Sequence, residues 1–166
     1  MENNTFINKA EAAGIKAFDL IDFKPTTEVI SFDLKQLLFM EMIVKEKEFR
    51  AALSLIDFSM YTNKAVAVYC SVDAIIPPWV YMVIADKLYP HAQLFTFSDE
   101  TSLNLELWKY NILTADISDF KDHKVVVRAR TDIHPELYMA ATTLLKPVVK
   151  SLMYGEIGMP KVIFKQ

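Results

Sequence analysis

The stretch AVAVYCSVDAIIPPWVYMVIADKL, residues 65 to 88, decides the fold class. Its first six residues are apolar and rich in valine, which is typical of a buried central strand. From Pro78 to Leu88 the chain contains no glycine and begins with a proline, which suits the first position of a helix because the N–H there has no intrahelical partner. A buried strand that leads directly into a helix predicts a parallel α/β sheet.

The same alternation continues on both sides of this stretch. Residues 15–23 are interpreted as an extended N-terminal arm. Strands are predicted over 28–33, 93–97, 124–129, 151–154 and 161–165, and helices over 35–53, 101–113 and 135–146. Strands that alternate with helices of this length need crossover connections, so we expect an α/β fold with a mainly parallel sheet flanked by helices.

Two segments of the chain resemble each other in order and spacing. Five positions recur about 60 residues apart: Asp57 and Asp116, Lys64 and Lys124, Asp73 and Asp132, Tyr81 and Tyr138, and Pro90 and Pro147. This pattern predicts two degenerate strand–loop–helix–strand repeats that share one sheet. We therefore expect a single domain over 1–166, with an arm at 1–27, a first repeat at 28–93 and a second at 94–166.

The composition limits the class of protein. Apolar residues make up 52% of the 166 residues, which leaves apolar surface to cover and favours a homo-oligomer, most simply a homodimer. The net charge of −3 argues against nucleic-acid binding, which needs a dense basic surface. With three glycines no phosphate-binding loop can be built. A single cysteine, no signal peptide and no apolar run of membrane-spanning length predict a cytoplasmic protein that is not bound to a membrane.

The repeat predicts where a site lies. Ligands of parallel α/β sheets bind beyond the carboxyl ends of the strands. The equivalent loops there are 70–77 and 129–134, and we expect them to be neighbours if a pseudo-twofold relates the repeats.

The first loop and the second carry the candidate reactive groups. Cys70 ends a strand near a helix N-terminus, where a thiol can become nucleophilic, but a free cysteine also behaves as a small buried hydrophobe. His134 is the candidate base for it. Asp73 and Asp132 occupy matching positions as a carboxylate pair or, more simply, as capping residues. The four side chains together would make a mixed-ligand metal site, although their spacing matches no compact zinc motif, and no metal site is assigned.

Three further residues are candidates for ligand binding. Trp79 has no aromatic counterpart in the second repeat, which makes it a candidate for lining a pocket or an interface, against the alternative of core packing. Arg128 and Arg130 end a valine-rich strand, where they can receive an anion or, more simply, pair with Asp132.

Several of these residues also carry a family resemblance along nearly the whole chain. The stretches are INK at 7–9, FDL at 18–20, KEKEFR at 45–50 and CSVDAIIPPWVYM at 70–82. They resemble a family of small bacterial proteins, the domain-of-unknown-function family numbered 2480. The resemblance implies no assigned activity or cofactor, and it suggests a link to iron–sulfur assembly through neighbouring genes.

One departure from the family bears on that link. Members of the family often carry further cysteines at places where this chain has Arg128, Ala129, Arg130, Gly158 and Met159. Cys70 is the only cysteine here, so a cluster held by one chain is not expected. An iron–sulfur role would then be that of an accessory protein or would share Cys70 across a dimer.

Three functions follow as hypotheses. The first is a non-enzymatic binding or accessory module, with a link to iron–sulfur or metal handling, whose site is the face formed by the two loops. The second is an enzyme in which Cys70 is the nucleophile or redox centre, with His134 as the base. The third is a structural or interaction protein with an interface to a protein partner around Trp79.

Overall fold

The computed structural model describes residues 11–156 and 158–166, so the INK stretch at 7–9 lies outside the described residues. Its strands are β1 (Ile15–Phe18), β2 (Val29–Asp33), β3 (Ala65–Tyr69), β4 (Leu94–Phe97), β5 (Lys124–Arg128), β6 (Ser151–Gly155) and β7 (Lys161–Lys165). Its α-helices are α1 (Glu46–Ser54), α2 (Pro78–Leu88), α3 (Glu100–Leu113) and α4 (Pro135–Leu145). Short 3-10 helices are η1 (Leu20–Phe23), η2 (Leu34–Leu37), η3 (Phe58–Tyr61) and η4 (Ser118–Phe120).

The described strands form two sheets. One has three strands in the order β2-β3-β4, and the other has four in the order β1-β5-β6-β7. All neighbours pair in parallel except β6 and β7, which are antiparallel. The prediction of a mainly parallel α/β fold is confirmed. The expectation that both halves share one sheet is wrong, because β1 and β2 each begin a sheet of their own.

The two central strands explain why the valine-rich runs decide the fold. In β3 the residues Ala65, Val66 and Ala67 are fully buried, and in β5 the same holds for Val125 and Val126. Each of these strands has a parallel neighbour on both sides, so both of its faces must be apolar. The predicted helices over 78–88 and 135–146 follow these strands as α2 and α4, and each has a proline at its first position.

The chain divides into two compact units, each with its own core. Unit 2 is the continuous segment Thr26–Asn104, and unit 1 combines Met1–Pro25 with Leu105–Gln166. The core of unit 2 is centred on Phe32, Phe49 and Ile84. The core of unit 1 is centred on Phe18 and Leu137. Unit 1 is therefore assembled from two distant parts of the chain.

Both units use the same order of elements, although the sequence repeat stays a prediction. In each, a first strand is followed by a 3-10 helix, an α-helix, a second 3-10 helix, the central strand, another α-helix and a third parallel strand. Asn63 and Asp122, which lie at matching positions just before the central strands, have φ values of 61° and 60°. The sequence interpretation begins the second repeat at residue 94, whereas β4 (Leu94–Phe97) pairs with β3.

The segment 15–23 is not an extended arm. Residues Ile15–Phe18 form β1, which pairs in parallel with β5, and η1 follows at once. The burial of Phe18 and Leu20 against the core of unit 1 fixes this arrangement. The tetrapeptide Ile-Lys-Ala-Phe is too short to reveal its sheet partner, which is more than 100 residues away in the chain.

The helix predicted over 35–53 is only partly correct. Residues Leu34–Leu37 form η2, and α1 begins at Glu46. Between them Met40 and Glu41 have φ values of 51° and 58°, which no right-handed helix accommodates. The Phe39 carbonyl accepts a hydrogen bond from the Met42 N–H at 3.1 Å, which closes a tight turn. Apolar residues at nearly helical spacing thus belong to a turn.

The backbone conformation of this turn leads to a prediction about stability. Two left-handed residues other than glycine each cost roughly 1–2 kcal/mol, whereas Asn-Gly is the preferred pair for a turn with two positive φ values. The double substitution Met40→Asn with Glu41→Gly is therefore expected to raise the free energy of unfolding by about 1–2 kcal/mol in urea denaturation. Met42→Asn, which changes the last residue of the turn but neither left-handed residue, is the control and should give no increase. Equal or lower stability of the double variant would show that the turn is not strained.

Candidate functional site

The candidate site lies in unit 1, beyond the carboxyl ends of β1 and β5. Phe18, the last residue of β1, is in register with Val127, so Asp19 directly follows β1 beside the end of β5. The side chain of Asp19 also accepts a hydrogen bond from the Ile21 N–H at 3.2 Å and thereby caps η1. The local turn after β1 therefore fixes a carboxylate at the edge of the sheet where ligands of parallel sheets bind.

Asp19 forms ion pairs with both arginines of the β5 end. Arg130 donates from Nη2 to Oδ2 of Asp19 at 2.5 Å and from Nε to Oδ1 at 3.3 Å, which is a two-point contact. Arg128 donates from Nη1 to Oδ2 at 3.4 Å. The side chains of Asp19 and Arg128 are 13% and 10% exposed. The arginines were expected to pair with Asp132 two to four residues away, but their partner is Asp19, 109 and 111 residues away.

The arginines set the protonation state of Asp19. Burial alone would raise the pKa of this carboxyl group, but the hydrogen bonds from Arg130 and the Ile21 N–H and the charges of Arg130 and Arg128 outweigh burial and lower the pKa. Asp22, three residues on, behaves in the opposite way: burial and the negative charge of Asp19 raise its pKa, partly offset by the arginines. The cluster therefore holds Asp19 ionised.

Tyr138 of α4 fixes the backbone of Arg130. The Tyr138 hydroxyl accepts a hydrogen bond from the Arg130 N–H at 3.0 Å and donates one to the Arg130 carbonyl at 3.1 Å. The ring of Tyr138 packs edge-on against Tyr154 with centroids 5.5 Å apart. Arg130 is thus held at its guanidinium group by Asp19 and at its main chain by Tyr138.

A cavity of about 290 Å³ opens beside Arg130, and we call it the Trp108 cavity. Its lining residues are Ile21, Lys24, Trp108, Arg130, Thr131, Asp132 and Ile133. The indole N–H of Trp108 donates to the Leu20 carbonyl at 2.8 Å, which orients the ring. The cavity includes four residues of the predicted 129–134 loop.

Of the residues predicted from the second loop, His134 has a structural role. Its Nδ1 accepts a hydrogen bond from the Glu136 N–H at 3.3 Å and caps α4. Glu136 in turn forms an ion pair with Lys109. His134 is exposed and is not among the residues that line the Trp108 cavity in the described part of the chain.

The residues predicted from the first loop belong to unit 2. The thiol of Cys70 is half-buried against the core of that unit and donates to the Val72 carbonyl at 3.2 Å. Asp73 is exposed. The Trp79 ring packs edge-on against Phe49 with centroids 5.5 Å apart. The two loops fall in different units, so the prediction that they are neighbours stays a prediction.

Unit 2 has a carboxylate, Asp33, that corresponds to Asp19 of unit 1 but has a different partner. Asp33 is the last residue of β2 and caps η2, and it accepts hydrogen bonds from the Ser71 hydroxyl at 2.6 Å and the Ser71 N–H at 3.1 Å. Burial tends to raise the pKa of Asp33, but the bonds from Ser71 and the Lys35 N–H lower it overall. Ser71 is therefore the partner of this carboxylate in unit 2, whereas Arg130 is the partner in unit 1.

The central residue of the site, Asp19, was missed as a site residue. The sequence contains a signal for it, because the tripeptide Phe-Asp-Leu occurs at 18–20 and again at 32–34, each time at the end of a strand. Trp108 and Lys24, which line the cavity, have no comparable signal in the sequence. They reach the site only through the fold.

The described residues contain no group of three or more His, Cys, Asp or Glu side chains placed to hold a metal ion. Within that same part of the chain no helix combines the length and the apolar character needed to cross a bilayer.

Comparisons with known proteins identify the family. Neither the curated proteins nor the solved structures contain a match to this chain. Residues 4–166 match a family described as "Protein of unknown function (DUF2480)", which covers nearly all of the 166 residues. The resemblance seen in the Phe-Asp-Leu and Cys70 stretches is confirmed, and the chain belongs to the DUF2480 family.

Proposed function

We propose that the protein is a non-enzymatic binding module whose Trp108 cavity takes a small zwitterion with an apolar side chain, such as an apolar amino acid. The observation that carries this proposal is a cavity with an apolar wall beside an arginine that is held at both ends. Its volume of about 290 Å³ suits a small molecule, and its place beyond the strand ends is where such folds bind ligands.

The apolar wall supports the side-chain half of the proposal. Ile21, Trp108 and Ile133 line the cavity, and the ring of Trp108 is oriented by its bond to the Leu20 carbonyl. An oriented aromatic ring gives a ligand apolar contact without the entropy of ordering a flexible side chain. The wall therefore favours a compact aliphatic or aromatic group.

The charged lining residues support the zwitterionic half. Asp19 occupies the Nε and Nη2 donors of Arg130 in their two-point contact. The other charged residues in the lining are Lys24, which carries an ammonium group, and Asp132, which carries a carboxylate. One charge of each sign suits a ligand that carries both, whereas a purely anionic or cationic ligand would satisfy only one of them.

The cavity favours binding over catalysis. The enzymatic hypothesis uses Cys70 and His134, and neither lines the Trp108 cavity among the described residues. A tethered Arg130 positions a ligand rather than donating or removing protons, because guanidinium does not titrate in the physiological range. The enzymatic hypothesis and the iron–sulfur or metal-handling role stay predictions.

We infer a cytoplasmic protein, since a lone cysteine suits a reducing compartment.

Calorimetric titration of the purified protein tests this proposal. We expect phenylalanine or leucine to bind, and 3-phenylpropionate and phenethylamine, which each lack one charge, to bind at least about tenfold more weakly. Thr131→Trp, at an exposed position in the lining, should fill the cavity and abolish binding. Thr143→Trp, at an exposed position on α4, is the matched control and should bind as the wild type does.

Two results would overturn the proposal. One is that no apolar amino acid changes the heat signal at millimolar concentration. The other is that the Thr131→Trp protein, shown by circular dichroism to be folded, binds as tightly as the wild type.

A further inference from the structure

A group of exposed apolar side chains surrounds the tight turn of unit 2. Met40, Met42, Ile43 and Ile75 are 74%, 63%, 42% and 79% exposed, and we call them the apolar tip. Isolated exposed apolar residues are ordinary on protein surfaces, but a contiguous group of them marks an interaction surface.

Backbone hydrogen bonds hold the residues of the apolar tip next to one another. The Phe39 N–H donates to the Ile43 carbonyl at 2.8 Å, which pairs the two sides of the turn. The Ile75 N–H donates to the Met42 carbonyl at 3.2 Å, so the loop after β3 joins the turn as a further short bridge. The four side chains thus project from a segment that backbone hydrogen bonds hold in place.

The backbone of the apolar tip is strained where it is most exposed. Met40 and Glu41 are consecutive left-handed residues, a conformation that side chains other than glycine adopt at a cost. Strain of this kind persists where a conformation serves a function. Here the strained turn points an exposed methionine away from the core of its unit.

The charges around the apolar tip suit a copy of the same surface. Lys35 pairs with Glu41 at 3.2 Å, and Lys45 pairs with Glu48 at 3.7 Å. The rim therefore carries two positive and two negative groups. A rim of a single sign would select a partner of the opposite sign, whereas a balanced rim allows the self-complementary contact that a twofold dimer requires.

From these observations we infer that the apolar tip of one chain binds the apolar tip of a second copy, which makes the protein a homodimer. Methionine side chains adapt to one another and fill irregular gaps, which suits such a contact. Charged groups beside exposed apolar side chains are usual in protein interfaces. This surface is distinct from the Trp108 cavity, so the dimer and the ligand proposal can fail separately.

Sedimentation velocity over a concentration series tests the dimer. We expect the wild-type chain to dimerise and Met40→Asp to weaken dimerisation at least about tenfold, because the carboxylate would be buried at the centre of the contact. Met82→Asp is the matched control: Met82 lies on α2 of the same unit with the same 74% exposure, and its substitution should leave the dissociation constant unchanged. Ile75→Asp is a second variant and should weaken dimerisation as Met40→Asp does.

Three outcomes would overturn the inference. The first is a wild-type chain that stays monomeric up to the highest concentration. The second is a dimer that Met40→Asp and Ile75→Asp leave intact. The third is a Met82→Asp protein that dissociates as readily as the Met40→Asp protein, which would place the contact elsewhere.

Discussion

Replacing Asp19 by alanine is expected to lower the free energy of unfolding by about 3 kcal/mol, the low end of what breaking a buried ion pair costs. The substitution would leave Arg128 and Arg130, whose side chains are 10% and 24% exposed, without their shared carboxylate. It would also remove the cap of η1. Urea denaturation followed by circular dichroism measures the loss.

Asp33→Ala is the matched control, because Asp33 holds the same place in unit 2. Its carboxylate caps η2 and accepts bonds from Ser71, which is exposed, so we expect a loss of only about 1 kcal/mol. Equal losses for the two alanine variants would show that Asp19 acts only as a cap.

The pH dependence of stability distinguishes the contribution of the Asp19 charge from that of its shape. Because the folded-state pKa of Asp19 is lowered, its stabilisation is complete above the ordinary carboxyl pKa of about 3.9 and is lost as the pH falls through the folded-state value. The stability gap between wild type and Asp19→Asn should be constant near neutral pH and narrow below about pH 4. Asp22→Asn should have the opposite effect on stability. Because the pKa of Asp22 is raised in the folded protein, its charge is destabilising at neutral pH, and its removal should raise the melting temperature there.

Tyr138→Phe is the second substitution with a large expected effect. It removes one hydroxyl and the two hydrogen bonds that this hydroxyl makes with the N–H and the carbonyl of Arg130. We expect a loss of about 2 kcal/mol in the free energy of unfolding. Arg130 would then be held at its guanidinium group alone, so the dissociation constant of a ligand in the Trp108 cavity should also rise.

The repeat supplies the control for this substitution. Tyr81 matches Tyr138 in sequence, and its ring packs edge-on against Phe97 with centroids 5.3 Å apart. Tyr81→Phe keeps that ring, so we expect a change within about 0.5 kcal/mol and unaltered ligand binding. A Tyr138→Phe protein as stable as the Tyr81→Phe protein would contradict the role of the hydroxyl.

The elements that the sequence predicts well are those with a local cause. The valine-rich strands β3 and β5 must be buried on both faces, and Pro78 and Pro135 mark the first turns of their helices. Such signals lie within a few residues of the element they determine. The break at Met40 has no such signal, because methionine and glutamate are ordinary helix formers and only the tertiary structure forces them into a turn.

The candidate site was predicted in part for the same reason. Its arginines and Asp132 could be located because they end or follow a strand that the sequence reveals. Asp19 could not be assigned as their partner, since the pairing of β1 with β5 joins residues more than 100 positions apart. Only the repeated Phe-Asp-Leu tripeptide marks Asp19 as equivalent to Asp33.

The division of unit 1 between Met1–Pro25 and Leu105–Gln166 has a consequence for how the protein is made on the ribosome. Unit 2 is continuous, so it can fold during synthesis before the chain is complete. By contrast β1 leaves the ribosome among the first segments, yet it must wait for β5 to be synthesised before it can join a sheet. Asp19 and Arg130 can therefore meet only after β5 has been synthesised, so their ion pair forms late in translation or after it.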